Sequence, residues 1–268
     1  MIINRLIFAR VTTTIRVALI QIDDYGPWTV TPEPRREMDL QYLQASLFAD
    51  FAAFVDTYDG YAFYGRFDNM YAVGNEIDPA DFERFQRRVR NRYPVTVSIG
   101  VGLAESPVEA LGEASERLQA AGSAQDGNRR EALVIGDDEP ADTGMVTVGH
   151  FDVVDVTGSL TDRENAIDVS LAIRRATLEL ATYLRTEYDS LAHFVGGDNI
   201  IAICPDIAAQ AFDDAIEHVR VETDIELQVG IGRGPTAQAA GEQAKEALEQ
   251  CRATGARIHG DGQLPADD

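Results

Sequence analysis

Four aspartates stand at strand ends or turn tips of this chain, and their spacing repeats. Asp198 lies in Phe194-Val195-Gly196-Gly197-Asp198-Asn199-Ile200-Ile201, a tight turn between two short apolar runs, Leu191 to Val195 and Ile200 to Cys204, that read as paired strands. Gly196 and Gly197 let the backbone turn sharply and approach a ligand closely, so they and Asn199 are ligand-binding candidates beside Asp198. Asp68 occupies the matching turn, Arg66-Phe67-Asp68-Asn69-Met70. Upstream of each turn a strand ends in acid, at Asp23 in Val17 to Asp24 and at Asp152 in Met145 to Asp152. Asp23 to Asp68 spans 45 positions and Asp152 to Asp198 spans 46, while Asp68 to Gly100 and Asp198 to Gly230 both span 32. Such register identifies an internal duplication.

Two carboxylates brought close repel strongly unless a cation lies between them. Oxygen ligands without cysteine or histidine suit Mg²⁺, which takes phosphate oxygens and water as further ligands. Asp23, Asp68, Asp152 and Asp198 are therefore the expected metal ligands and catalytic carboxylates, for two or more Mg²⁺ ions. His150, two residues before Asp152 and so on the same sheet face, is the candidate proton carrier. His193 reads as structural, His218 and His259 as surface residues. Arg35 and Arg36 have the forked donors that grip phosphates. Trp28 and Tyr25 could stack on a base or anchor their loop. Thr157 and Gly158, ahead of a helix, suit a phosphate cradle. No Cys/His set has zinc spacing and no serine or cysteine triad is visible, so hydrolysis here would be metal-assisted without zinc. Cys204 and Cys251 sit in apolar patterns and read as buried thiols.

The elements that must position these groups follow one order twice: strand, helix, hairpin, helix, strand, helix. In the first repeat the spacing predicts a strand over 16–23, an ordered proline-rich loop over 25–37 and a helix over 38–56 with Leu40, Leu43, Leu47, Phe51 and Phe54 on one face. A helix opened by Asp78-Pro79, a strand over 95–103 and a helix opened by Ser106-Pro107 complete it. The second repeat runs as a strand over 145–152, a helix over 162–187, the hairpin, a helix over 207–221, a strand over 225–231 and a helix capped by Thr236. The expected fold is α+β, two tandem ferredoxin-like domains with antiparallel sheets and helices on one face. The boundaries read as an extension over 1–14, a first domain over 15–125, a linker over 126–142, a second domain over 143–260 and a disordered tail over 261–268.

With 45% apolar residues among 268, the chain is globular and long enough for two cores. No apolar run approaches the roughly 18 residues a membrane helix needs, and no signal peptide is apparent, so a cytoplasmic protein without a membrane partner is expected. Net charge is −22, and Lys245 is the only lysine among 23 basic residues. An acidic surface almost free of lysine points to work at very high salt, where screening shortens self-repulsion. The same charge argues against a nucleic-acid partner.

Ile22-Asp23-Asp24-Tyr25-Gly26-Pro27-Trp28-Thr29-Val30-Thr31-Pro32, Arg35-Arg36-Glu37, Arg66-Phe67-Asp68-Asn69, Asn91-Arg92-Tyr93-Pro94, Gly122-Ser123-Ala124-Gln125-Asp126 and Gly196-Gly197-Asp198-Asn199 together resemble archaeal GTP cyclohydrolase III. The resemblance covers about residues 15 to 255, both repeats in order. Each repeat is also similar to the palm of nucleotidyl cyclases, with Asn199 where an acidic residue is usual. The resemblance implies Mg²⁺-dependent hydrolysis of the imidazole ring of GTP to 2-amino-5-formylamino-6-(5-phospho-D-ribosylamino)pyrimidin-4(3H)-one with release of two phosphates, feeding archaeal flavin and deazaflavin synthesis. It implies a homo-oligomer, dimer or tetramer, and metal or nucleotide roles for Asp23, Asp68, Asp152 and Asp198. It leaves open which repeat holds the reacting GTP. A nucleotidyl cyclase making a cyclic product and a non-catalytic nucleotide sensor remain alternatives.

Overall fold

The computed structural model describes residues 14–136, 144–156, 158 and 161–260. The extension expected over 1–14 therefore lies outside the described residues except for Thr14, as do the tail, residues 137–142 of the expected linker, residue 143 and Thr157. The first repeat contains β1 (Ile15–Ile22), α1 (Tyr25–Val30), α2 (Glu37–Asp56), β2 (Tyr61–Tyr64), β3 (Asn69–Val73), α3 (Pro79–Arg92), β4 (Val97–Ala104), α4 (Pro107–Ala120) and β5 (Leu133–Ile135). The second contains β6 (Val146–Val153), α5 (Ala166–Tyr188), β7 (Leu191–Gly196), β8 (Asn199–Cys204), α6 (Ala209–Thr223), β9 (Leu227–Gly234), α7 (Ala237–Thr254) and β10 (Ile258–Gly260).

The sheets have the strand orders β2-β3-β1-β4-β5 and β10-β9-β6-β8-β7, the same path run twice. Four strands of each, β2-β3-β1-β4 and β7-β8-β6-β9, are antiparallel, as a ferredoxin-like order requires. The fifth is a correction to the sequence reading, because β5 and β10 add in parallel to β4 and β9 and make the sheets mixed. Leu133–Ile135 thus belongs to the first sheet, although it falls in the segment read as a linker. The proline-rich loop also differs. Tyr25–Val30 forms a short helix, which Pro27 tolerates because a first-turn N–H has no helical partner to lose.

Helices on one face is a second correction. Ala18, Ile20 and Ile22 face α2 and α3, in a core with Leu47, Phe51, Phe82 and Phe85. The opposite face of β1, with Ile15, Val17 and Leu19, packs on Ala110, Ala114 and Leu118 of α4 and on Val148, Ile201 and Ala240 of the second repeat. The two repeats therefore share a central core, with α4 and α7 on their inner faces and α2, α3, α5 and α6 outside. Gly100 and Gly102 admit α4, and Gly230 and Gly232 admit α7. At each of the four a methyl group would collide with a helix carbonyl, that of Ala114, Ala110, Ala244 or Ala240. The matching glycines of Val97–Gly102 and Leu227–Gly232 are thus packing residues. Cys204 and Cys251 are both free and buried, and burial pushes the Cys204 thiol up to about 12.

The contact between repeats is reciprocal. Val108 donates its N–H to the carbonyl of Asp189 at 3.4 Å, and Gln238, its counterpart, donates to the carbonyl of Asp59, the counterpart of Asp189, at 3.0 Å. The ring of His193 lies 5.1 Å from that of Phe63, its own counterpart. Such exchange of roles is the mark of a two-fold relation. His193 also meets Tyr71 at 4.8 Å, and burial lowers its imidazole to about 4. An ordinary histidine titrates near 6.5, so on acidification the unfolded chain takes up this proton first. Stability should fall as pH drops from about 6.5 towards 4, by at most roughly 3 kcal/mol, less what solvent screening of a partly exposed ring removes. Denaturant unfolding across that window should show a shallower pH dependence for His193→Phe than for the parent, the carboxylates being common to both. Equal slopes would remove His193 from the account.

Candidate active site

In the second repeat β6 carries His150 and Asp152 to one end of the sheet, and the β7–β8 turn places Asp198 beside them. Gly196 and Gly197 have φ of 122° and 63°, values that L side chains rarely adopt, so this tip needs its glycines. Asp152 is 4% exposed. Its Oδ2 accepts from Gln228 Nε2 at 3.1 Å, Arg252 Nε at 3.1 Å and Arg252 Nη2 at 3.0 Å. Its Oδ1 is buried and has no hydrogen-bond partner. Burial first, then the charge of Asp152, hold the Asp198 carboxyl above its usual range. Two adjoining carboxylates, one with a free buried oxygen, are the environment a divalent cation relieves. Among the described residues no group of three or more His, Cys, Asp or Glu side chains is placed to hold a metal ion by itself, so a cation here would draw its further ligands from phosphate and water.

Asn199 joins the tip to His150. Its Nδ2 faces the Gly196 carbonyl and Asp198 Oδ1, at 3.5 and 3.2 Å. Its Oδ1 lies 2.9 Å from His150 Nε2. With the amide nitrogen spent on acceptors, Oδ1 must accept, so Nε2 carries the proton and Nδ1 is the basic nitrogen. Burial, the largest influence, lowers this imidazole below its ordinary value, which keeps it neutral near pH 7.

The first repeat does not reproduce this arrangement. Strand register sets Leu19 against Gly100 and His150 against Gly230, so the counterpart of Asp152 is Gln21 and that of His150 is Leu19. Asp23 stands two residues further on, opposite Thr96, where the second repeat has Val154 opposite Glu226. Pairing Asp23 with Asp152 by spacing is thus corrected. Asp23 is saturated by Thr96 Oγ1 at 2.8 Å, Ser98 Oγ at 2.6 Å, the Glu131 N–H at 2.9 Å and Arg129 Nη2 at 3.5 Å. The Arg129 and Asp23 side chains are 3% and 1% exposed, and the same guanidinium also donates to Gln21. Both oxygens of Asp23 are thus engaged, whereas in the second repeat Arg252 and Gln228 take one oxygen of Asp152 and leave the other free. Asp68 accepts from Arg66 at 2.9 Å. Gly196, the counterpart of Arg66, offers no such partner.

Arg129→Met should leave Asp23 a buried charge short of its cation and cost about 3–5 kcal/mol. Asp23→Asn in the same chain should recover part of that loss. If urea unfolding shows no recovery, the pair is not what Arg129 holds.

Trp28, Arg35 and Arg36 gather elsewhere in the first repeat, around a cavity of about 700 Å³ between α1 and the start of α2. Arg35 donates to the Trp28 carbonyl at 2.9 Å and lies over the indole at 3.9 Å. Asp23 and Asp24 line a neighbouring cavity that shares Trp28, Tyr93 and Pro94 as its wall. Gly158 N–H donates to Asp155 Oδ1 at 3.2 Å; Thr157 lies outside the described residues. The sequence reading missed Arg129, Gln228 and Arg252, whose partners lie 76 to 106 residues away.

The family model described as GTP cyclohydrolase III matches residues 17–264. The chain is similar to GTP cyclohydrolase III 2 of Halobacterium salinarum, 54% identical over 91% of this chain and 97% of that one. It is also similar to GTP cyclohydrolase III of Halorubrum lacusprofundi, at 52% over 92% and 96%, and of Natronomonas pharaonis, at 53% over 90% and 96%. A match of that span, with relatives of one name sharing about half their residues from end to end, means that the chain belongs to the GTP cyclohydrolase III family, hydrolases that act on GTP.

Proposed function

We propose that GTP reacts in the second repeat, at Asp152 and Asp198, and that Mg²⁺ is the cation these carboxylates hold. The observation that carries this reading is the buried, unpartnered Oδ1 of Asp152 beside the raised Asp198 carboxyl. Bound there, Mg²⁺ would polarise phosphoryl oxygens and orient water. The chain's own groups supply the rest. Arg252 and Gln228 fix the Asp152 carboxylate through Oδ2 and leave Oδ1 for a cation. Asn199 fixes the tautomer of His150, whose Nδ1 accepts a proton from attacking water. The glycine tip leaves room for phosphates beside Asp198.

The product is the formylamino-pyrimidine nucleotide monophosphate. One water adds at C8 of GTP and opens the imidazole ring to the formamide. One further water is consumed for each of the two phosphates released. The proposed setting is the early part of archaeal flavin and deazaflavin synthesis, in a cytoplasmic homo-oligomer without nucleic-acid or membrane partners. No described helix is long and apolar enough to cross a membrane. Incubation with GTP and Mg²⁺ at high salt, followed by mass spectrometry, should recover C8 in the product as formyl and two equivalents of inorganic phosphate. A cyclic nucleotide with an intact purine, or free formate, would defeat the assignment.

A further inference from the structure

Arg252 reaches Asp152 from α7, and a second cation leaves the same side of that helix. Lys245 stands seven residues earlier, nearly two whole turns, which returns its side chain to the same face about 10 Å further back. Packing fixes its level along β6. The turn of α7 over residues 244–248 is pressed on Gly230, where a methyl group would meet the Ala244 carbonyl and the Leu248 N–H. Gly230 is the ladder partner of His150. Lys245 lies in that turn, so it stands over the sheet at the level of His150. Besides burial and the bond with Asn199, three charges bear on the His150 ring: Asp152, Arg252 and Lys245.

Of these two cations one is spent. Arg252 gives Nε and Nη2 to Asp152 at 3.1 and 3.0 Å, and Nη1 to Glu249 at 2.6 Å. Lys245 has no ion-pair partner among the described residues, although two acids stand within a helical turn of it. Glu249, four residues on, is held by Arg252, and Glu242, three residues back, accepts from Gln238 at 3.2 Å. Lys245 is exposed, and it is the only lysine among 23 basic residues. The second observation is the buried Oδ1 of Asp152, which has no partner. A cation on that oxygen takes phosphate oxygens as further ligands, and a triphosphate carries more negative charge than one such cation cancels. With Arg252 engaged, the remaining positive group beside it is the ammonium. A point charge with three rotatable donors also suits phosphates that change position as they leave, where a rigid fork does not. We infer that Lys245 is a substrate-contacting residue of the second-repeat site, its ammonium binding the phosphates of GTP. This rests on the reading that GTP reacts in that repeat, and adds to it a protein group that meets the phosphate charge directly.

A single lysine makes the test direct. An amine-selective acetylating ester has two targets, Lys245 and the N-terminal amine, and peptide mass spectrometry tells them apart. Guanosine β,γ-imidotriphosphate with Mg²⁺, at about ten times its Kd, should slow acetylation of Lys245 about ten-fold. The N-terminal amine should react as before, and guanosine, which has no phosphates, should protect neither. In steady-state kinetics Lys245→Gln should raise KM for GTP about ten-fold, the loss expected of one charged hydrogen bond, and lower kcat by less. Lys245→Arg, which keeps the charge, should recover most of that KM. The inference is overturned if Lys245 is acetylated equally fast with and without the analogue, or if guanosine protects it as well. It is overturned alone if Lys245→Gln keeps the parent's KM while Asp198→Asn is inactive. Turnover by Asp198→Asn at the parent's rate would remove the second-repeat reading, and this inference with it.

Discussion

Asp152→Asn and Asp198→Asn are each expected to lower GTP turnover at saturating Mg²⁺ by about 100-fold or more, and to leave the fold intact. Changes around a metal-holding group commonly cost 10–100-fold in affinity or activity, and here the carboxylate itself loses its charge. Folding should survive because Asp198 has no cationic partner among the described residues, and the Arg252 that Asp152 holds is part exposed and keeps Glu249 as a second partner. The Asp198 carboxyl is already raised by its neighbour, and an amide at either position removes repulsion. Asp23→Asn should do the reverse. Its oxygens are all engaged by Thr96, Ser98, Arg129 and the Glu131 N–H, so the cost falls on stability. Steady-state phosphate release and thermal unfolding of all three variants decide the matter. Loss of turnover in a stable Asp23→Asn protein, with Asp152→Asn near normal, would move the reaction to the first repeat.

The second large effect is structural and should appear in both halves. Gly102→Ala and Gly232→Ala each drive a methyl group into a helix carbonyl, of Ala110 and of Ala240. Neither carbonyl can step aside, because each belongs to a helix packed across the shared core. Overpacking typically costs 1–3 kcal/mol and more where backbone must move, so about 3 kcal/mol is expected at each site. For a chain of this size that lowers the melting temperature by roughly 6–12 °C. Calorimetry should find similar shifts for the two variants. An unchanged melting temperature for either would mean that its helix can ride outward freely.

Much of this was legible in the residues. The strand–helix order, the capped helix starts at Ser106 and Thr236, and the glycine tip at Asp198 come from patterns whose physical cause is local. The side chains of Ser106 and Thr236 accept from Glu109 and Ala239 N–H as such caps should. The register of Asp23 was not legible. A slip of two residues along a strand keeps a side chain on the same face, so Asp23 and Gln21 are equally good matches to Asp152 by spacing, and only the hydrogen-bonded ladder separates them. The strands β5 and β10, three residues each, are too short to show a period. Arg129 and Arg252 reach their aspartates from more than ninety residues away, and nothing in an arginine's neighbours announces such a partner.

The exchanged hydrogen bonds of Asp59 with Gln238 and of Asp189 with Val108 describe the interface of a symmetric dimer whose partners share one chain. In a dimer of separate identical chains, every gain or loss is made twice. Fusion removes that obligation, and it holds the partners at an effective concentration that dilution cannot lower. One half was then free to spend Asp23 and Asp68 on internal ion pairs with Arg129 and Arg66 while the other kept an open carboxylate pair. The second repeat still depends on the first to cover its apolar sheet face, so the second repeat expressed alone would be insoluble even with Asp152 and Asp198 in place. Divergence of chemistry and conservation of shape were thereby separated within a single gene.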